Sequence, residues 1–135
     1  MSASSQPVDD WLGNLFDTEC PTRIVLDRVG DKWTVLVVAA LADGPLRFTV
    51  LRDRVGGITS KVLTSTLRSM LRDGLVKRMA YATVPPKVEY QLTELGVSLR
   101  EPIDQLRVWA ERNVAQIVRN REAHDGDLSS TDAVR

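Results

Sequence analysis

In "TSKVLTSTLRSMLRDG", residues 59 to 74, the apolar side chains Val62, Leu63, Leu67, Met70 and Leu71 recur every three or four positions with polar residues between them. That is the period of an amphipathic helix, with Thr59 placed to cap its start and Gly74 to stop it. Two further helices come earlier in the chain. In "CPTRIVLDRVG" Cys20 suits an N-cap and Pro21 the first helical position, and Ile24, Val25 and Val29 form an apolar face ending at Gly30. Asp31 then caps a helix in which Trp33, Leu36, Val37, Ala40 and Leu41 share one side until "DGP" halts it. After "PLRF", Thr49 suits the N-cap of a short helix carrying Leu51 and Val55, and "GG" at 56 and 57 makes a tight turn before the helix at 59 to 74.

Beyond Gly74 the period changes to two. "LVKRMAYAT" and "KVEYQLT" read as strands joined by "VPP", and Val88, Tyr90 and Leu92 alternate with Lys87, Glu89 and Gln91. Pro85 and Pro86 lack backbone donors, so they belong at the tip of the hairpin and not within a paired strand. Thr93 opens a final helical stretch with Leu99, Ile103, Leu106, Ala110 and Ile117 on one side, and Pro102 marks the first turn of its longer half or a kink. Near the start, Trp11, Leu12, Leu15 and Phe16 have the spacing of a short amphipathic helix, preceded by a Ser-rich segment expected to be disordered. The pattern predicts a tail at 1–19, one domain at 20–120 and a polar, disordered tail at 121–135. Its fold class is mainly α with a small β-hairpin, a winged helix-turn-helix with flanking helices.

Composition narrows the class. The chain has 135 residues, 43% of them hydrophobic, which suits one domain with a real core. No apolar run approaches the ~18 residues of a membrane span, and the N-terminal segment lacks the layout of a signal peptide, so a cytoplasmic protein is expected. A single cysteine excludes an intramolecular disulfide or a cysteine-rich metal site. The only histidine, His124, sits in the polar tail, and no paired nucleophile and base, metal-ligand spacing or phosphate-binding glycine loop is present. Neither an enzyme nor a bound cofactor or metal is expected.

Net charge is zero, which argues against nucleic acid until the distribution is read. Residues 44 to 88 contain nine bases and only Asp53 and Asp73 as acids. Such a local excess attracts a polyanion whatever the total. The outward face of the helix at 59 to 74 carries Ser60, Lys61, Thr64, Ser65, Arg68 and Arg72, hydroxyls and bases without an acid. A charged helical face by itself is usually a solvated face. Here it follows a tight turn and precedes a hairpin, the order in which a winged helix-turn-helix sets one helix in the major groove and a hairpin beside it.

The stretch from "CP" at residue 20 to about residue 110 resembles the HxlR-type transcriptional regulators. The resemblance rests on "CP", "GDKW", "GPLRF", "GIT.K.LT..L..L..DGLV.R" with Met70 at a usual leucine position, "VPPKVEY.LT.LG", and Trp109 in the last helix. It implies a homodimeric bacterial repressor or activator, with repression the favoured sign. The first and last helices would build the dimer, and each subunit would offer one helix to a palindromic double-stranded DNA site. Ser60 stands where the family often has proline, which puts a hydroxyl at the first helical residue. Lys61, Thr64, Ser65 and Arg68 are the expected groove contacts, with Lys61 and Arg68 foremost because they can bond guanine edges or clamp a phosphate. Ser60 is expected at a phosphate, Lys87 at the backbone from a stiffened wing tip, and Arg47 at either the backbone or a surface ion pair.

Two questions stay open at this stage. A Cys20 at a helix N-terminus with Arg23 one turn on has the setting of a reactive thiolate, and regulators resembling this chain include sensors of oxidants and electrophiles with a cysteine there. It equally suits a small residue packed in the dimer interface. The other question is the use of the fold: a winged helix can serve protein association, and a regulator of this kind can take a small-molecule effector between its dimer helices. Trp33 and Trp109 are expected as packing.

Overall fold

Oxygen-bearing side chains set three of the helix starts. Asp31 accepts from the Trp33 amide at 3.0 Å, Thr59 from the Val62 amide at 3.1 Å, and Thr93 from the Gly96 amide at 3.1 Å. Each satisfies an amide that the first helical turn leaves unpaired. The computed structural model describes Phe16 and residues 21–134, with side chains as far as residue 128. Cys20 and the segment carrying Trp11, Leu12 and Leu15 lie outside the described residues.

The elements run α1 (Thr22–Gly30), α2 (Lys32–Ala40), a 3-10 turn (Leu41–Asp43), β1 (Leu46–Arg47), α3 (Phe48–Val55), α4 (Ser60–Arg72), β2 (Val76–Tyr81), β3 (Lys87–Leu92), α5 (Glu94–Ser98) and α6 (Arg100–Val134). The chain divides into two units, Met1–Arg100 and Glu101–Arg135.

In the first unit α2 is the central helix, packed against α1, α3 and α4. Val37, Val38, Leu51, Leu63 and Met70 are fully buried, and Leu41, Leu67 and Val76 nearly so. Burying one such side chain stabilises the fold by about 1.5–3 kcal/mol. The stripe on α4 differs from the expected one by a step. Thr66 is buried and Leu71 is exposed, because Leu63, Thr66, Leu67 and Met70 follow the helical period more closely than a line through Leu71. Arg54 of α3 donates to the Ala40 carbonyl at 3.1 Å, satisfying an acceptor left open where α2 ends.

The hairpin carries a third strand. Sheet order is β1-β3-β2, all antiparallel, with Leu46 opposite Tyr90 and Val76 opposite Leu92. Two residues are too few to show alternation in a sequence. This strand also moves the start of α3: it begins at Phe48, directly after the strand, with Arg47 at the N-cap position and Thr49 inside the helix. Pro21 likewise takes the N-cap place that Cys20 was expected to hold, and α1 starts at Thr22.

Two glycine sites fix how α4 is held. Gly56 and Gly57 have φ of +67° and +77°, values that disfavour a side chain, and they bend the chain between α3 and α4. At Gly96 the limit is space, since a Cβ there would lie 2.1 Å from the Leu75 carbonyl oxygen. Thr93 tightens the same junction by donating to the Gly74 carbonyl at 2.6 Å. The end of α4 is therefore clasped to the start of α5.

In the second unit, α6 places Pro102 in its first turn, where a missing amide hydrogen costs no helical bond. The helix does not stop at Glu122 but continues through the stretch expected as a disordered tail to Val134. No proline interrupts it, and pairs such as Arg107 with Glu111 at 2.8 Å and Gln116 with Asn120 at 2.9 Å brace its surface one turn apart. Trp109 is 58% exposed in the single chain, as are many of its apolar neighbours.

Candidate nucleic-acid interface

The spacing 60, 61, 64, 65, 68 is that of one face of a helix. On α4 that face is turned to solvent, and Ser60, Lys61, Thr64, Ser65 and Arg68 together line one shallow, open depression. Beneath them Leu63, Leu67 and Met70 anchor the helix in the core. Among the described residues no acid pairs with Lys61 or Arg68. Two unpaired cations among hydroxyls, on a helix held from below, make a rigid donor surface.

Two of these hydroxyls are already engaged. Thr64 donates to the Ser60 carbonyl at 2.8 Å. Ser60 accepts from Arg52 of α3 at 3.0 Å, across the glycine turn. Arg52 was not among the expected site residues. It counted toward the basic excess, but no local pattern signals a contact eight residues away across a turn.

The other two expected contacts lie apart from this face. Arg47 is exposed at the end of β1, opposite Glu89 on β3. Lys87 begins β3 and is held on two sides: its ammonium lies 3.6 Å from the Glu89 carboxylate and 5.1 Å from the centre of the Tyr81 ring. Tyr81 is its cross-strand partner, so the stack follows from the hairpin register. Desolvation, then the hydrogen bond to Glu89 and its negative charge, raise the Tyr81 phenol above its usual value, which keeps it a neutral donor. The lysine expected at the DNA backbone thus has partners within the hairpin, and Val84 in the loop is fully exposed. Alternation places Arg47, Lys87 and Glu89 on one face of the sheet, where Glu89 is ion-paired to Lys87.

One connection links α1 to this apparatus. Arg28, near the end of α1, is hydrogen-bonded and ion-paired through its Nε to Asp73, the residue that closes α4. Beside that pair lies an apolar hollow of about 370 Å³, lined chiefly by Ile24, Val25, Val29, Leu75, Leu95 and Leu99.

Comparison with known proteins agrees with this geometry. Residues 28–118 match the HxlR-like helix-turn-helix family. The chain is 42% identical over 110 residues to the uncharacterized HTH-type transcriptional regulator YtfH of Escherichia coli (strain K12), covering 82% of this chain and 87% of that protein. Among solved structures, ytfH from Salmonella typhimurium superposes with a TM-score of 0.72 at 43% identity, over 82% of this chain and 98% of the other. The redox regulator HypR in its oxidized form gives 0.64 at 41% identity, over 70% and 97%. With a central helix, a glycine turn, an exposed basic helix and a three-stranded wing in the order the family requires, the chain belongs to the HxlR-like helix-turn-helix transcriptional regulators.

Proposed function

We propose that this protein is a sequence-specific DNA-binding regulator, acting as a homodimer on a palindromic operator in the cytoplasm and repressing transcription there. The observation that carries the reading is the outer face of α4: five contact-capable side chains on one exposed surface, with two unpaired cations and no acid. Lys61 and Arg68 contact bases or clamp phosphates, Ser60 a phosphate, and Thr64 and Ser65 the groove. Arg47 and Lys87 add backbone attraction, weakened at Lys87 by its ion pair with Glu89.

Dimerisation is supported by apolar side chains that the chain itself leaves uncovered. Ile24, Val25 and Leu26 on α1 are each more than half exposed, and Leu106, Trp109, Val114 and Ile117 are exposed on α6. Apolar faces of this kind are commonly buried in a symmetric dimer. A monomer in sedimentation at micromolar concentration would overturn this part.

Regulation by oxidants or electrophiles rests on Cys20 and on the likeness to HypR, named a redox regulator. With one cysteine in the chain, the chemistry open to it is a Cys20 to Cys20 bond between subunits, a mixed disulfide, a sulfenic acid or alkylation. A small-molecule effector is the second reading, favoured by the hollow between α1 and α5, whose mainly apolar lining includes the Arg28–Asp73 pair and Ser98.

The experiment is fluorescence anisotropy with the DNA upstream of the protein's own gene and with scrambled DNA, across a salt series, before and after mild oxidation. A preference for its own DNA supports the regulator. Loss of that preference on oxidation, prevented by Cys20→Ser, supports the thiol as sensor. No preference at any salt points to a winged helix used for protein association.

A further inference from the structure

We propose that hydrogen bonds inside the protein sort the two hydroxyls at the start of α4, presenting Ser60 to DNA as a donor and Thr64 as an acceptor, so that Thr64 selects a base with an exocyclic amino group. The inference rests on the reading of α4 as the helix that enters the groove.

A hydroxyl has one proton to give and two lone pairs to offer. Thr64 spends its proton on the Ser60 carbonyl at 2.8 Å. What remains toward solvent is a lone pair and a methyl group. In the major groove, only the adenine N6 and cytosine N4 amino groups can donate to that lone pair. The edge of guanine and the phosphates offer acceptors alone, and Thr64 has nothing to donate to them.

Ser60 is set the opposite way. Its Oγ accepts from Arg52 Nη1 at 3.0 Å, and a guanidinium can only donate, so the direction of that bond is fixed. Its own proton stays available for an acceptor, and a phosphate oxygen is the acceptor that a duplex presents most often. Arg52, on α3, is therefore a positioning residue: it turns the Ser60 hydroxyl without needing to touch a base. Ser65, on the same face, makes no side-chain hydrogen bond among the described residues and can serve in either sense. One helix face thus holds a committed donor, a committed acceptor and an uncommitted hydroxyl.

The test begins with the duplex that the wild-type protein selects from a randomised DNA pool. Anisotropy is then measured on that duplex, on every single base-pair change, and on duplexes in which one adenine or cytosine is replaced by an analogue lacking its exocyclic amino group. At one position in each half-site, removing the amino group weakens wild-type binding by roughly 2- to 13-fold, the worth of one neutral hydrogen bond. Thr64→Val loses no more from that analogue than it has already lost, whereas Thr64→Ser, which keeps the hydroxyl, still discriminates. Ser60→Ala and Arg52→Lys weaken all sequences alike, and the double variant Ser60→Ala with Arg52→Lys is no weaker than Ser60→Ala alone. Arg52→Lys keeps the charge, and circular dichroism confirms that each variant is folded.

The proposal is overturned if Thr64→Val and wild type lose equally when the amino group is removed. It is also overturned if Thr64→Val relaxes a position whose preferred base offers only acceptors, or if Ser60→Ala changes base preference. Selection of no sequence at all by the wild-type protein overturns the DNA-reading helix itself and the proposal with it.

Discussion

The helix α4 and the wing carry the same kind of residue and leave it in different conditions. On α4, Lys61 and Arg68 stand free because no acid shares their face, and the core beneath holds the helix rigid. On the wing, Lys87 is tied to Glu89 and stacked on Tyr81, and Arg47 lies opposite Glu89 in the strand register. A basic residue therefore has to be judged by what its neighbours leave available. Counting bases gives the two regions equal weight, and geometry favours α4.

The largest effect that tests this contrast comes from removing the support under α4. Leu63→Ala should destabilise the fold by about 2–5 kcal/mol, measured by urea denaturation, with DNA binding lost in step with folding. A near-neutral result would mean that α4 is not anchored there. Next come Lys61→Ala and Arg68→Ala, each expected to weaken binding to the preferred DNA by about 1–3 kcal/mol and to relax sequence preference. Equal weakening on every DNA would place the reading surface elsewhere.

Lys87→Ala should cost less, under about 1 kcal/mol, and lower the salt slope by less than the ~0.9 of a fully engaged phosphate contact. A slope change as large as that for Arg68→Ala would erase the distinction between helix and wing. Smallest and opposite in sign is Glu89→Gln. It should raise affinity for all sequences by a few tenths of a kcal/mol and steepen the salt slope, since it releases Lys87. Unchanged affinity would show that the carboxylate does not restrain the wing.

The elements built on long, regular patterns were readable in advance. The α4 helix, its Thr59 cap and its polar face follow from a period that local chemistry alone enforces, and so do the Asp31 and Thr93 caps. Errors fell where a short segment depends on a distant one. Thr49 was displaced from its cap because β1 pairs with β3 about forty residues later and carries the chain directly into α3. The stretch after Glu122, read from its polarity as a disordered tail, continues α6 to Val134, and no proline interrupts it.

The candidate site divides along the same line. Its five α4 residues were legible because a helix puts every third and fourth residue on one face, whatever surrounds it. The tethering of Lys87, the part played by Arg52 and the opposite settings of Ser60 and Thr64 were not. By itself the sequence determined the long elements, the Asp31, Thr59 and Thr93 caps, the polar face of α4 and the family resemblance, all of which depend on neighbours along the chain. Tertiary structure decided that Arg52 reaches Ser60 across the glycine turn and that Lys87 stacks on Tyr81 of the neighbouring strand, because such contacts belong to groups on separate elements brought together in space.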